Sequence, residues 1–286
     1  MKESKYDVTS TKFNYKKLLF KLFLVKKSLY QQLFIDSEQK KIIFINGCQR
    51  SGSTLLGRIF NRDYRTSVFE EKSSITSDDK IELRLNEYSK VLNEFNLKKG
   101  SIIVAKPLVE SQNLLELLTY FPNSYSVWIY RDYKDVALSN EVKFGTHNGF
   151  DDLNFILKQH NNNWRYEKTS KETFNLIKKY SQSSITNLDA CCLFWYSRNI
   201  HFIEKEYNLN KRILLLNYNN LIQHPEQSLK RIYDLIEAQP PKNNLIKDVK
   251  SGSIGKAKGI IIHKEINTIC NNLYTKLSAM ENERSG

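Results

Sequence analysis

The chain has 286 residues, 40% of them hydrophobic and 26% charged, with five prolines and ten glycines. That balance suits one large globular α/β domain and excludes a disordered or low-complexity polymer. The formal net charge of +13 favours anionic partners, among them nucleotides, acidic glycans, nucleic acid and anionic lipid.

The basic excess begins at the amino end, where residues 1–41 hold ten lysines against four acids. Residues 1–36 read as a basic helical extension. On a helix Leu18, Leu22, Val25, Leu29 and Leu33 share one stripe, which Leu19, Phe23, Tyr30 and Phe34 widen. The apolar run Leu18–Val25 is broken by Lys21 and is far shorter than the roughly 20 apolar residues of a membrane span. Such a helix either docks on the domain or a partner, or lies on a membrane surface.

From residue 37 a single domain is expected. Its strands stand out as short apolar runs at 42–46, 66–69, 101–105, 125–130 and 212–217. Helical patterns fill 53–62, 79–95, 111–120, 133–144 and a long stretch from 151 to 207. Pro225 suits the first turn of a helix to about 237, 239–259 reads as a loop, and a last helix spans about 262–280. Strands apolar on both faces and alternating with helices predict a three-layer α/β/α fold around a mostly parallel sheet of about five strands. Ligands of such sheets bind beyond the carboxyl ends of the strands. The loops at 47–53, 70–76, 106–111, 131–134 and 218–222 therefore carry the site.

The first of these loops is the most informative. Gly47-Cys-Gln-Arg-Ser-Gly-Ser-Thr-Leu55 follows the first strand and opens a helix, so backbone N–H groups and a helix N-terminus converge on an anion. The loop resembles a Walker A P-loop, but Ser53 stands where that pattern needs lysine, and the cation is Arg50. Arg50, Ser51, Gly52, Ser53 and Thr54 form a candidate anion site that departs from the ATP γ-phosphate pattern. A second candidate is Arg131, ending a strand, with Ser139 two turns into the next helix. An ion pair of Arg131 with Asp132 or Asp135 is the plainer alternative. Cys48, Cys191, Cys192 and Cys270 form no C-x-x-C pair, which suggests reduced thiols in a cytoplasmic protein. The five histidines show no metal spacing, and no metal is expected.

The Gly47–Leu56 loop together with Arg131–Ser139 resembles the sulfotransferases that use 3′-phosphoadenosine 5′-phosphosulfate (PAPS). The resemblance implies that the first loop holds the 5′-phosphosulfate and that Arg131 and Ser139 hold the 3′-phosphate. The spacing from Arg50 to Glu70-Glu71-Lys72 is similar to the tyrosylprotein sulfotransferase branch, in which the second glutamate is the catalytic base. Glu71 is then the base, with Glu70 in reserve. Lys106-Pro107 is similar to the K-D-P step of that branch without its acid. Asn217-Tyr-Asn-Asn-Leu-Ile-Gln-His-Pro225 resembles the segment whose tyrosine, here Tyr218, contacts the nucleotide. Asp189, Cys191 and Trp195 fall where the branch has a D-C…W helix, and Ser251, Ser253 and Lys256 fall in a late loop that closes over the nucleotide.

The chemistry needs no magnesium in principle, because a sulfuryl group carries less charge than a γ-phosphate. Arg50 and Lys106 would stabilise charge on the leaving group, and a carboxylate would take the acceptor proton. The acceptor, a hydroxyl or amine of a saccharide, small molecule or peptide, stays open. Two rivals remain: a P-loop kinase or NTPase, and a non-catalytic binder of nucleic acid or anionic lipid. Arginines set singly at strand ends favour a compact nucleotide over nucleic acid.

Overall fold

The computed structural model describes residues 15–35, 39–77, 83–159, 163–242, 244–247, 249–250, 252 and 254–283. Five strands form one parallel sheet: β1 (Lys41–Gly47), β2 (Thr66–Phe69), β3 (Ile102–Ala105), β4 (Ser124–Tyr130) and β5 (Ile213–Asn217), in the order β2-β3-β1-β4-β5. Register is fixed by pairs such as Ile43 with Val104 and Ile45 with Val127.

Both sheet faces are apolar, so each strand fills two cores. Ile42 and Phe44 point to one side with Ile103, Trp128 and Leu215, and Ile43 and Ile45 point to the other with Val104, Ile129 and Leu216. The first core is covered by α3 (Tyr88–Leu97), α4 (Leu114–Tyr120), α5 (Tyr133–Phe144), α6 (Asn148–Leu157), α7 (Lys171–Ser181), α8 (Asn187–Asn199) and α12 (Lys264–Glu283). The second is covered by α2 (Ser53–Asn61), α10 (Tyr218–Gln223) and α11 (Pro225–Leu235). A single-turn helix, α9 (His201–Glu204), follows α8. This is the three-layer α/β/α arrangement, with crossovers that return each strand parallel to the last.

The strands, the 133–144 helix and the Pro225 helix start fall where the sequence puts them, and three helical readings need correction. The pattern at 79–95 yields a helix only from Tyr88. Residues 78–82 lie outside the described set, Leu83 has φ 49°, and Leu85 bridges Thr76. Arg84 pairs with Glu110 and Glu167 at 2.8 and 2.5 Å. The 111–120 pattern is split, beginning as a 3-10 turn over Leu108–Asn113. The stretch 151–207 breaks into α6 to α9. Ser170 caps α7 through the Thr173 N–H, and Thr186 and Asp189 form a capping box at α8. The segment 218–222, read as a loop, is the short helix α10.

The amino-terminal helix α1 (Tyr15–Phe34) docks beside β2, but not through its leucines. Lys27 Nζ donates to Asn61 O at 2.9 Å and Thr66 Oγ1 at 3.0 Å. Gln31 Nε2 donates to Tyr64 O at 2.8 Å and Thr66 O at 2.7 Å. Phe23 and Tyr30 meet Tyr64 edge-on. The predicted stripe of Leu18, Leu22, Val25, Leu29 and Leu33 is exposed.

Candidate active site

The sheet order explains why loops far apart in sequence converge. β2, β3, β1, β4 and β5 lie side by side, so Glu70-Glu71, Lys106, the 47–53 loop, Arg131 and Tyr218 line up along the carboxyl edge. Two glycines shape the loop. Gly47 has φ 121°, and a Cβ there would lie 2.3 Å from Ile129 O. Gly52 has φ 103°, and its Cβ would lie 2.2 Å from the Tyr218 ring. Only glycine fits either place. Arg50 also takes a left-handed φ of 65°, and its side chain reaches Ser139 on α5.

A cavity of about 490 Å³ opens at this edge. Its walls include Arg50, Gly52, Ser53, Thr54, Glu71, Arg131, Ser139, Tyr218 and Lys256. Arg50 Nε donates to Ser139 Oγ at 3.0 Å, so the two anion sites read as separate share one cavity and touch. Arg131 is buried, stacks on the Tyr218 ring at 4.6 Å, and pairs with Asp135 at 3.1 Å. The Asp135 pairing was the plainer alternative for Arg131, and it coexists with a place in the cavity wall. Asp135 does more than neutralise. Its carboxylate accepts the Gly255 N–H at 3.0 Å and the Ala257 N–H at 3.1 Å, tying the late loop to α5. Trp195 Nε1 donates to Arg131 O at 3.0 Å and holds that strand end from beneath. Asp189 accepts the His263 N–H, and buried Cys191 packs in the core.

Lys106 is the hub on the other side. Its Nζ lies 3.1 Å from Thr54 Oγ1, 2.8 Å from Glu70 Oε2 and 3.2 Å from Glu71 Oε1. Two carboxylates therefore contact one buried lysine, but they differ in place. The Glu70 carboxylate reaches toward α2, close enough that a Cβ on Gly57 would lie 3.4 Å from it. Glu71 lines the 490 Å³ cavity and also a second one of about 240 Å³. Gln49, Leu108 and Phe144 line both cavities too, whereas Glu70 lines neither.

The second cavity is walled by Leu83, Val109 and Trp164 and carries Asn148, Arg165 and Arg198. Arg165 stacks on Trp164 at 4.4 Å and Phe155 at 4.8 Å, and its Nε donates to Asp152. Its Nη1 is buried with no hydrogen-bond partner among the described residues. Arg198 donates to Gln112 Oε1 at 2.8 Å and Trp164 O at 3.2 Å, and burial pulls its pKa down to about 10. Burial also raises the Asp152 carboxyl, against the lowering effect of Arg165.

Ser51 is fully buried and lines neither cavity. Ser251 and Ser253 lie outside the described residues. Cys48 is buried, and burial pushes its thiol up to about 12, so it serves as packing rather than as a nucleophile. Among the described residues no cluster of three or more His, Cys, Asp or Glu could hold a metal ion. Sequence reasoning missed Gln49, Phe144 and Arg165. Gln49 sits inside the anion loop and was open to notice, but Phe144 and Arg165 are assigned only by how α5 and the 163–170 turns pack.

The family described as the sulfotransferase domain matches residues 40–276. The chain belongs to that family. Among solved structures, the sulfotransferase domain of the Synechococcus PCC 7002 olefin synthase is 11% identical, with 84% of this chain and 96% of that chain covered at a TM-score of 0.48. A sulfotransferase domain from the curacin biosynthetic pathway is 14% identical, covering 76% and 80% at 0.46. Mouse sulfotransferase SULT7A1 complexed with PAP is 14% identical, covering 87% and 88% at 0.43. No curated protein matches. The matched span begins just before β1 and leaves α1 outside it.

Proposed function

We propose that the chain is a PAPS-dependent sulfotransferase, its donor bound in the larger cavity and its acceptor in the smaller. The observation that carries this reading is Glu71. It is the acid that lines both cavities, and it contacts the lysine that reaches the anion loop.

The residues present suit the donor. Arg50, Arg131 and Lys256 surround the larger cavity, and its 490 Å³ lies in the range of small-ligand pockets. PAPS, when bound, supplies the sulfuryl group to be transferred. The loop amides with Arg50, Gly52, Ser53 and Thr54 hold the 5′-phosphosulfate end, Ser51 being buried outside the cavity, and the α2 N-terminus adds its partial positive charge. Arg131 and Ser139 hold the 3′-phosphate, Tyr218 packs against the nucleotide, and Lys256 reaches the cavity from the late loop. Lys106 stabilises charge that develops on the leaving side. Glu71 Oε1 accepts the proton of the acceptor hydroxyl or amine.

The Arg50-to-Glu71 spacing supports the tyrosylprotein sulfotransferase-like branch for the choice of base. The acceptor remains a saccharide, a small molecule or a peptide, and the reduced-thiol cysteine pattern supports a cytoplasmic setting. Residues 37–286 would be the catalytic unit and residues 1–36 its extension. Thermal shift tests the donor: 3′,5′-ADP should stabilise the chain more than 5′-ADP or ATP with magnesium. Stabilisation by ATP with magnesium alone would favour a kinase or NTPase instead.

A further inference from the structure

The amino-terminal helix presents to solvent the face that an aqueous helix normally buries. At 100° per residue, Leu18, Leu22, Val25, Leu29 and Leu33 fall in an arc of about 80°. Val25 is 59% exposed and Leu33 73%. Lys27 and Gln31, which are buried against the domain, lie on the opposite side of the same helix. Docking through these polar side chains fixes the helix with its leucines outward.

We infer that this stripe seats on an anionic lipid surface. Lys21 and Lys26 border it on either side and are exposed, so their ammonium groups can stay at the headgroup level while the leucines enter the acyl boundary. The helix holds five lysines and no acidic residue. A second copy is disfavoured by the same charges. The 4-3-4 spacing of Leu18, Leu22, Val25 and Leu29 would allow a two-helix seam, but its flanking positions would then set lysine against lysine. No helix among the described residues is long and apolar enough to cross a membrane, so the geometry is one of lying on the surface.

The position also suits this role. α1 is anchored at Asn61, Tyr64 and Thr66, at the amino ends of the strands, whereas the candidate site is at the carboxyl ends. A bilayer held there leaves the cleft open to water. The inference does not depend on the reaction proposed above.

The test is co-sedimentation of the full chain with vesicles of phosphatidylcholine alone and of phosphatidylcholine with phosphatidylglycerol. Binding to the mixed vesicles should be at least about tenfold stronger and should weaken with added salt. Leu22→Glu with Leu29→Glu should abolish it. Lys21→Glu with Lys26→Glu should lower it at least about tenfold, since each lysine near such a surface is worth about fivefold. All four side chains are exposed, so unchanged thermal melting would certify the fold of the variants. Equal binding to both vesicle types, or no binding to either, would overturn the inference. So would variants that bind as the parent does, or a dimer in sedimentation velocity that the leucine substitutions dissolve.

Discussion

Replacing Glu71 by glutamine tests the proposed chemistry most directly. The substitution keeps the shape and removes the proton acceptor. Glu71 Oε1 is 3.2 Å from Lys106, and Glu70 is closer at 2.8 Å, so Lys106 keeps a carboxylate partner in the variant. Both carboxylates are more than a third exposed, so losing one pair changes local energetics by at most about 1 kcal/mol. Affinity for 3′,5′-ADP should therefore stay within about fivefold of the parent. Removal of a general base typically lowers the rate by roughly 10²–10⁴-fold, or about 2.7–5.4 kcal/mol of barrier. The split between kcat and nucleotide affinity is what distinguishes a base from a structural residue. The assay follows 3′,5′-ADP formation from PAPS with the best acceptor of a hydroxyl and amine panel, alongside calorimetric titration of 3′,5′-ADP. Glu70→Gln is the control, with an expected loss of only a few-fold, because Glu70 lines neither cavity. If Glu71→Gln kept kcat within about threefold, or Glu70→Gln lost the greater share, the base assignment would fall.

Arg131→Ala should weaken 3′,5′-ADP by about 1.5–3 kcal/mol and leave 5′-ADP nearly unchanged, because the lost bonds are charge-assisted; calorimetry with both nucleotides decides it. An equal loss for both nucleotides would remove the 3′-phosphate from this site. Gly52→Ala forces a Cβ to within 2.2 Å of Tyr218 at φ 103°, so it should cost about 1–3 kcal/mol of stability and displace the ring that stacks on Arg131. Parallel melting curves and 3′,5′-ADP titration would expose a variant indistinguishable from the parent. Burial lowers Lys27 from 10.5 to about 8, so between those values the undocked state holds the extra proton and docking of α1 should strengthen as pH rises through that window. Hydrogen exchange of the α1 amides should slow accordingly after correction for intrinsic rates, and Lys27→Met should flatten the dependence.

The sheet and the shape of the first loop were legible because both rest on local signals. A run such as Ile42-Ile43-Phe44-Ile45 is apolar at every position, and that pattern has few stable homes besides a strand buried on both faces. The loop that follows it is written in glycines at 47 and 52, whose positive φ values no other residue takes cheaply. Arg131 and Tyr218 stood out because each directly follows an apolar strand.

Tertiary packing decided the rest. Glu70 and Glu71 are adjacent in sequence and chemically alike, and only the path of the chain after β2 sets one beside Gly57 and the other between two cavities. Asp135 became a clamp for the late loop because tertiary packing brings residue 255 to α5. The continuous helical pattern at 151–207 hid its breaks, since caps such as Ser170 and Thr186 compete with propensity only once each segment has a surface to pack on. The amino-terminal helix makes the same point in reverse. Its amphipathic period was plain, but hydrophobic burial is non-directional, and it was the hydrogen bonds of Lys27 and Gln31 that fixed which face meets the domain and which meets solvent.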